Sequence, residues 1–116
     1  MTAQDFSKLL VLWTGGDKDV ALNMVFMYTI NSKLKNWWGE VVLLIWGSSS
    51  KLAAVDADIQ AQIATALKKG VRVIACKKCA ENLGVVEQLE GLGIEVFYVG
   101  QFLTEWLKSG ERVLTI

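Results

Sequence analysis

Residues 71–79 read Val-Arg-Val-Ile-Ala-Cys-Lys-Lys-Cys, and this stretch decides the fold class. Its first half is apolar and rich in β-branched side chains, which is typical of a buried strand. Gly70 follows two lysines, a pattern that ends a helix, so a helix is expected before the strand. A second helix is predicted over residues 80–92. Cys76 is therefore expected at the carboxyl end of a strand, and Cys79 at or near the start of a helix.

Strands and helices are predicted to alternate along the rest of the chain. The strands are expected at residues 8–13, 40–46, 71–76, 94–99 and 112–116, and the helices at about residues 18–35, 50–68, 80–92 and 102–108. The last strand alternates polar and apolar residues and is expected at an edge of the sheet. Five strands alternating with four helices predict an α/β fold of three layers, α/β/α. Its sheet is expected to be five-stranded and mainly parallel, in a flavodoxin-like architecture.

The length and composition indicate one ordinary domain. The chain has 116 residues, so residues 1–116 are expected to form a single domain, with residues 1–6 as a short N-terminal tail. Hydrophobic residues make up 53% of the chain, enough for a core that needs neither metals nor disulfides. Twelve basic and twelve acidic residues leave no formal net charge, so no nucleic-acid partner is predicted.

The first residues do not resemble a targeting signal. Met1 to Asp5 is polar and lacks the basic and apolar regions of a signal peptide. Leu9 to Trp13 is apolar but too short to cross a bilayer. We therefore expect a cytoplasmic protein with no membrane association.

The chain contains two cysteines, three positions apart, and no histidine. In a reducing compartment, a close pair of thiols suggests redox, sulfur or metal chemistry and argues against a disulfide scaffold. The expected helix start and the flanking Lys77 and Lys78 would create a positive field that favours thiolate over thiol at Cys76. The simpler alternative is that the cysteines are small buried hydrophobic residues.

Ligands of open α/β sheets bind outside the carboxyl ends of the strands, and four predicted loops leave those ends. These loops would bring glycines, an acid, serines and an amide to the rim of a site around the thiols: Gly15, Gly16, Asp17, Ser48, Ser49 and Gln101. Each loop also has a structural interpretation, because glycines turn the chain and Asp or Ser can cap a helix. The structural interpretation is preferred for these loops, with ligand contact as the alternative.

The first predicted helix is apolar on almost every side between Val20 and Ile30. Such a helix is covered on more than one side, by the sheet and then either by neighbouring helices or by another subunit. The adjacent Trp37 and Trp38 are likewise hard to bury together in one small domain and can mark an interface. A homo-oligomer is therefore one of two expectations for this region.

Three enzyme classes fit the residues poorly. Residues 14–19, Thr-Gly-Gly-Asp-Lys-Asp, only partly resemble the phosphate loop of the ATP pyrophosphatases, because no Ser follows the acid. Two thiols without a histidine supply half of a tetrahedral zinc site, so no metal is expected. Thioredoxin-like oxidoreductases carry a cis-proline facing their thiols, whereas this chain has no proline. What remains is a nucleophilic thiol that holds a sulfur atom and passes it on, without a cofactor.

Several segments, taken in order, resemble the DsrE/DsrF-like proteins. They are residues 70–80 around the thiols, Leu83-Gly84, residues 92–96, residues 110–116, the Gly-Gly-Asp turn before the first helix, and Trp46-Gly47. The resemblance covers nearly the whole chain. It implies a compact α/β domain that assembles into homo- or hetero-oligomers, often trimers or hexamers.

The resemblance also implies a persulfide-carrying cysteine at the position of Cys76, as in sulfur relay. On this hypothesis the protein is a sulfur carrier with sulfurtransferase-like activity, and its partners are a sulfur-donor or sulfur-acceptor protein. Lys77 and Lys78 would lower the pKa of the Cys76 thiol, and Cys79 would be a second thiol that releases the carried sulfur. The alternative is an oligomeric structural, interaction or redox-sensing module whose thiol pair transfers nothing.

Overall fold

The computed structural model describes residues 7–116, which form one sheet with helices on both faces. The strands are β1 (Lys8–Trp13), β2 (Glu40–Ile45), β3 (Arg72–Cys76), β4 (Glu95–Phe97) and β5 (Arg112–Thr115). They lie in the order β4-β3-β2-β1-β5, and every neighbouring pair is parallel. The predicted α/β fold is confirmed, with a sheet that is wholly parallel and β5 at one edge. The predicted tail, residues 1–6, lies outside the described residues.

Helices connect consecutive strands. The first, α1 (residues 18–34), is continuous but changes its winding: Lys18–Val20 and Met27–Leu34 are α-helical, and Ala21–Phe26 between them is π-helical. The others are α2 (Ser49–Val55), α3 (Ala57–Lys68), α4 (Lys77–Leu83), α5 (Val86–Gly91) and α6 (Gly100–Lys108).

The helix predicted over residues 50–68 is two helices, because the chain breaks at Asp56. Its backbone is extended there, and its carboxylate accepts a hydrogen bond of 3.0 Å from the amide of Ile59. The same carboxylate lies 3.1 Å from the ammonium of Lys18. Asp56 therefore begins α3 as its N-cap and ties this helix to the start of α1.

The helix predicted over residues 80–92 is also divided, at Gly84, whose φ of 70° is left-handed and ends α4. This helix begins at Lys77 rather than at residue 80, directly after β3. Cys79 therefore lies inside the first turn of α4. The strand predicted at residues 94–99 is shorter, because the chain leaves the sheet after Phe97 and enters α6.

The sheet has a thickly covered face and a thinly covered one. Strand residues such as Val11, Leu43 and Val73 pack against α1 to α5 in the larger core. The alternate residues, such as Leu44 and Ile74, face a smaller cluster to which α6 contributes the half-buried side chains Phe102, Leu103 and Trp106. Cys76 belongs to this smaller cluster.

One side of α1 is uncovered within the described chain. Its buried side chains pack in the larger core, whereas Val20, Met24, Met27 and Leu34 are exposed, as is the nearby Trp37. Neighbouring helices of residues 7–116 therefore supply part of the second cover, since α3 packs against α1, but they leave this side exposed. A second subunit is the other expected cover.

Candidate functional site

The strand order places the ligand crevice expected of such a sheet at the carboxyl ends of β3 and β4. After β3 the chain enters α4, which packs on the thickly covered face, and after β4 it enters α6 on the opposite face. Adjacent parallel strands whose connections leave towards opposite faces form the crevice in which α/β proteins bind ligands. Cys76, the last residue of β3, pairs in register with Phe97, the last residue of β4. Cys76 therefore lies at this crevice.

The Cys76 side chain is buried. The residue is 5% exposed and packs in the smaller cluster with Ile74 and Val99. Burial raises the pKa of the Cys76 thiol, because a thiolate there would lose its hydration. Hydrogen bonds from the backbone N–H groups of Cys79 and Lys78 favour the thiolate, but burial is the larger effect. The neighbouring Cys79 side chain also raises the pKa of Cys76 and so adds to the preference for the protonated form.

The prediction that Lys77 and Lys78 lower the pKa of the Cys76 thiol is wrong. The Lys77 ammonium lies over the ring of Tyr98, 5.5 Å from its centroid, and the Tyr98 hydroxyl donates a hydrogen bond of 2.9 Å to Glu81. The Lys78 side chain is exposed. Neither cation offsets the effect of burial on the pKa of the Cys76 thiol. The sequence alone did not reveal this burial.

Cys79 is the more accessible thiol. It is half-buried and lines a cavity of about 300 Å³ together with Gly47, Ser48, Asn82 and Leu83. Cys76 is not among the residues that line this cavity. No disulfide joins the two cysteines in this structure. The structure thus brings the two predicted thiols together but gives them different access to solvent.

Some of the other predicted rim residues line two cavities, and Gly16 and Ser48 also share a third cavity of about 260 Å³. Ser48 lines the cavity of the accessible thiol. Gly15, Gly16 and Asp17 line a different cavity, of about 160 Å³, beside the end of β1. The Asp17 carboxylate accepts a hydrogen bond of 3.0 Å from the amide of Val20 and so caps α1, as its structural interpretation expects.

Ser49 and Gln101 are occupied elsewhere. Ser49 is fully buried, and its hydroxyl donates to the carbonyl of Trp13 at 2.7 Å, with the carbonyl of Trp46 at 3.1 Å. It joins the ends of β1 and β2 and is absent from the lining of the thiol cavity. The Gln101 amide donates a hydrogen bond of 3.0 Å to Glu105 along the exposed side of α6.

Sequence reasoning missed the cavity walls Asn82 and Leu83. Asn82 lies three positions after Cys79, a spacing that places both on one side of a helix, so this signal is visible in the sequence. It also missed the Tyr98–Glu81 contact beside Lys77. No sequence signal reveals that contact, because it depends on β4 lying next to β3.

The difference in exposure predicts that an alkylating reagent modifies Cys79 before Cys76. At neutral pH, iodoacetamide is expected to alkylate Cys79 about tenfold faster than Cys76, because Cys76 is buried and predominantly protonated. The alkylation rate of Cys76 follows its thiolate fraction and is expected to keep rising with pH beyond pH 9, since its pKa is raised from the ordinary value of 9.0.

Peptide mass spectrometry measures both rates, because trypsin cleaves after Lys77 and Lys78 and separates the two thiols. Faster alkylation of Cys76 than of Cys79 at neutral pH would contradict the order inferred from exposure.

The described residues offer neither a metal site nor a membrane span. Within residues 7–116, no group of three or more Cys, Asp or Glu side chains is arranged to hold a metal ion. Over the same range, no helix is both long and apolar enough to cross a bilayer.

Comparison with known proteins relates the chain to one family. Residues 16–116 match the sequence model of the DsrE/DsrF-like family. A conserved protein of unknown function from Bacteroides thetaiotaomicron, whose structure is solved, is 44% identical, with a match that covers 95% of each chain and a TM-score of 0.93. No match to a curated protein was found.

Two more distant structures share the fold. The ychN protein of E. coli is 18% identical, with 95% of this chain and 99% of the other covered and a TM-score of 0.74. A protein of unknown function from Methanobacterium thermoautotrophicum is 11% identical, with 97% and 100% covered and a TM-score of 0.72. At these identities the likeness concerns the fold alone.

Proposed function

The chain belongs to the DsrE/DsrF-like family, and from this premise we propose that it is a sulfur carrier that accepts sulfane sulfur as a persulfide on Cys76 and passes it on. In this proposal its partners are a sulfur-donor and a sulfur-acceptor protein, and it works in the reducing cytoplasm. One observation carries the proposal. Two free thiols lie together where β3 passes into α4, one buried and the other facing a cavity.

Burial suits Cys76 for holding a sulfur atom. A persulfide is lost when another thiol attacks it, and the rate of that attack depends on access. A sulfur atom bound to Cys76 is attached to a side chain that packs in the cluster with Ile74, Phe97 and Val99. Burial therefore makes Cys76 a poor nucleophile towards molecules in solution. It also protects a sulfur atom that is bound to Cys76.

Loading requires no net oxidant. A thiolate of the pair attacks the outer sulfur of a donor persulfide, R–S–SH, so that a new S–S bond forms and the donor's S–S bond breaks. R–S⁻ leaves with the electron pair and takes up the proton that the protein thiol releases. The balance is protein–SH plus R–S–SH giving protein–S–SH plus R–SH. Unloading is the same exchange with an acceptor thiol as the nucleophile.

Cyanide treatment of the loaded protein tests this function, because cyanide removes sulfane sulfur as thiocyanate. The wild type, loaded with glutathione persulfide and desalted, is expected to release about one thiocyanate per chain. The Cys76→Ser/Cys79→Ser double variant is the matched control and is expected to release none. Equal release from the two proteins would contradict a carrier that uses this thiol pair.

The exposed side of α1 favours a second role, in assembly. Met24, Met27, Tyr28 and Trp37 line a shallow cavity of about 270 Å³ on this side, and Met27 is 55% exposed. Contiguous exposed apolar side chains mark interaction sites, and methionine suits adaptable ones. We propose that this side is covered in a homo-oligomer, such as a trimer or hexamer. In the alternative function, that assembly or redox sensing by the thiols is the whole role of the protein.

Met27→Lys is expected to reduce the oligomer to a monomer, because an unpaired ammonium buried in an interface is strongly unfavourable. Size-exclusion chromatography with light scattering measures the mass. Leu107→Lys is the control, since Leu107 is 56% exposed on α6 and its replacement is expected to leave the mass unchanged. A wild type that is already a monomer would exclude the assembly.

A further inference from the structure

The two cysteines differ in what can reach them. Cys79 lines the cavity of about 300 Å³, whose other walls come from the loop after β2 and from α4. Cys76 is buried and contributes nothing to that lining. A donor persulfide that enters this cavity therefore meets Cys79 and not Cys76.

We propose that Cys79 is the thiol that first accepts sulfur from the donor, and that it then hands the sulfur to Cys76 for storage. This inference rests on the proposed carrier function and assigns the order of two steps within it. Cys79 receives the sulfur atom at the cavity, and Cys76 then stores it at a buried position.

The states of the two thiols support this order. Because burial raises the pKa of Cys76, the thiolate that could attack an external donor is scarce there at neutral pH. After Cys79 has received the sulfur, attack by Cys76 is intramolecular, so proximity replaces a slow encounter in solution.

Both steps balance without a change in overall oxidation state. In the first, the Cys79 thiolate attacks the outer sulfur of R–S–SH, the donor's S–S bond breaks, and R–S⁻ leaves with the electron pair and is protonated. In the second, Cys76 attacks the outer sulfur of Cys79–S–SH, and the bond between that sulfur and the Cys79 sulfur breaks. Cys79 leaves as a thiolate and receives the proton that Cys76 gives up, which yields Cys76–S–SH and Cys79–SH.

The cavity indicates the class of donor. Its volume is at the lower end of the range for ligand sites, and its lining of Gly47, Ser48, Cys79, Asn82 and Leu83 carries no acidic or basic side chain. It suits the small –CH₂–S–SH end of a low-molecular-mass persulfide. Glutathione persulfide is the probe of this class used below.

Time-resolved loading tests the order. The full chain is mixed with glutathione persulfide, quenched with iodoacetamide at successive times and digested with trypsin, which separates the two thiols at Lys77 and Lys78. In the wild type we expect added sulfur first on Cys79 and later on Cys76. We expect Cys79→Ser to load Cys76 about tenfold more slowly than the wild type. Cys76→Ser is expected to load Cys79 at nearly the wild-type rate.

Loading of Cys76 at the wild-type rate in Cys79→Ser would overturn the proposed order while leaving the carrier function intact. Absence of added sulfur from the wild type as well would instead contradict the carrier function itself. Circular dichroism of both variants confirms that a slow rate does not arise from unfolding.

A pair of cavity variants tests the route without touching either thiol. Asn82→Phe fills the cavity of Cys79 and is expected to slow its loading about tenfold. Gln88→Phe places the same side chain on the exposed side of α5, away from that lining, and is expected to load at the wild-type rate. Equal loading rates for the two variants would contradict reception through this cavity.

Discussion

Cys76→Ser is expected to lose its bound sulfur about tenfold faster than the wild type when loaded protein is challenged with excess glutathione. In this variant the sulfur remains on Cys79, which lines a cavity open to small thiols. On the proposed order, the wild type transfers it to Cys76, whose side chain is 5% exposed. Intact-mass measurements at successive times after the challenge follow the sulfur that each protein retains.

Cys79→Ser is the matched control for retention. On the proposed order it would load slowly, hold its sulfur on Cys76 and lack the thiol through which the sulfur leaves. It is therefore expected to retain sulfur at least as long as the wild type. Equal rates of loss from the two single variants would contradict storage at the buried thiol.

Trp13→Ala is expected to lower the free energy of unfolding by about 4 kcal/mol, the largest effect on stability that we predict. Trp13 ends β1, is 1% exposed and packs edge-on against the ring of Phe26, with 5.3 Å between the ring centroids. Its removal leaves a cavity between the sheet and the π-helical part of α1. A loss of this size approaches the whole stability of many small domains. Urea denaturation followed by circular dichroism measures it.

Trp37→Ala is the control of the same residue type. Trp37 is 54% exposed in the described chain, so its removal is expected to cost only about 0.5 kcal/mol in dilute solution. If α1 is covered in an oligomer, the loss of unfolding free energy caused by Trp37→Ala rises with protein concentration. The loss caused by Trp13→Ala does not depend on this side of α1. Equal losses for the two variants at low concentration would contradict the burial of Trp13 as the cause.

The fold was predictable because apolar strands and helix ends alternate plainly along the chain. The helix boundaries were less predictable, since they depend on local capping. The carboxylate of Asp56 and the left-handed backbone of Gly84 each end a continuous helical pattern, which hydrophobic spacing alone does not reveal. The π-helical winding of Ala21–Phe26 likewise has no counterpart in that spacing.

The thiol pair was predictable, but its electrostatics were not. Neighbouring lysines in the sequence suggested a thiolate, whereas the field at Cys76 depends on burial beneath residues distant in the chain, such as Val99. Lys77 interacts instead with Tyr98, which β4 brings beside β3. These contacts depend on strand order, which local sequence patterns do not determine.

Strand order also decided which rim residues meet the thiols. Ser48 reaches the cavity of Cys79, while Gly15, Gly16 and Asp17 lie at a separate cavity. The loops share one edge of the sheet, as the topology predicts. Gly16 and Ser48 share a further cavity, but neither thiol lines it.

Intact-mass analysis after incubation with glutathione persulfide tests the central claim most directly. The account predicts that the wild type gains a sulfur atom and that the Cys76→Ser/Cys79→Ser double variant, treated in the same way, gains none. A wild type without added sulfur, or a double variant that gains as much, would contradict a sulfur carrier built on this thiol pair.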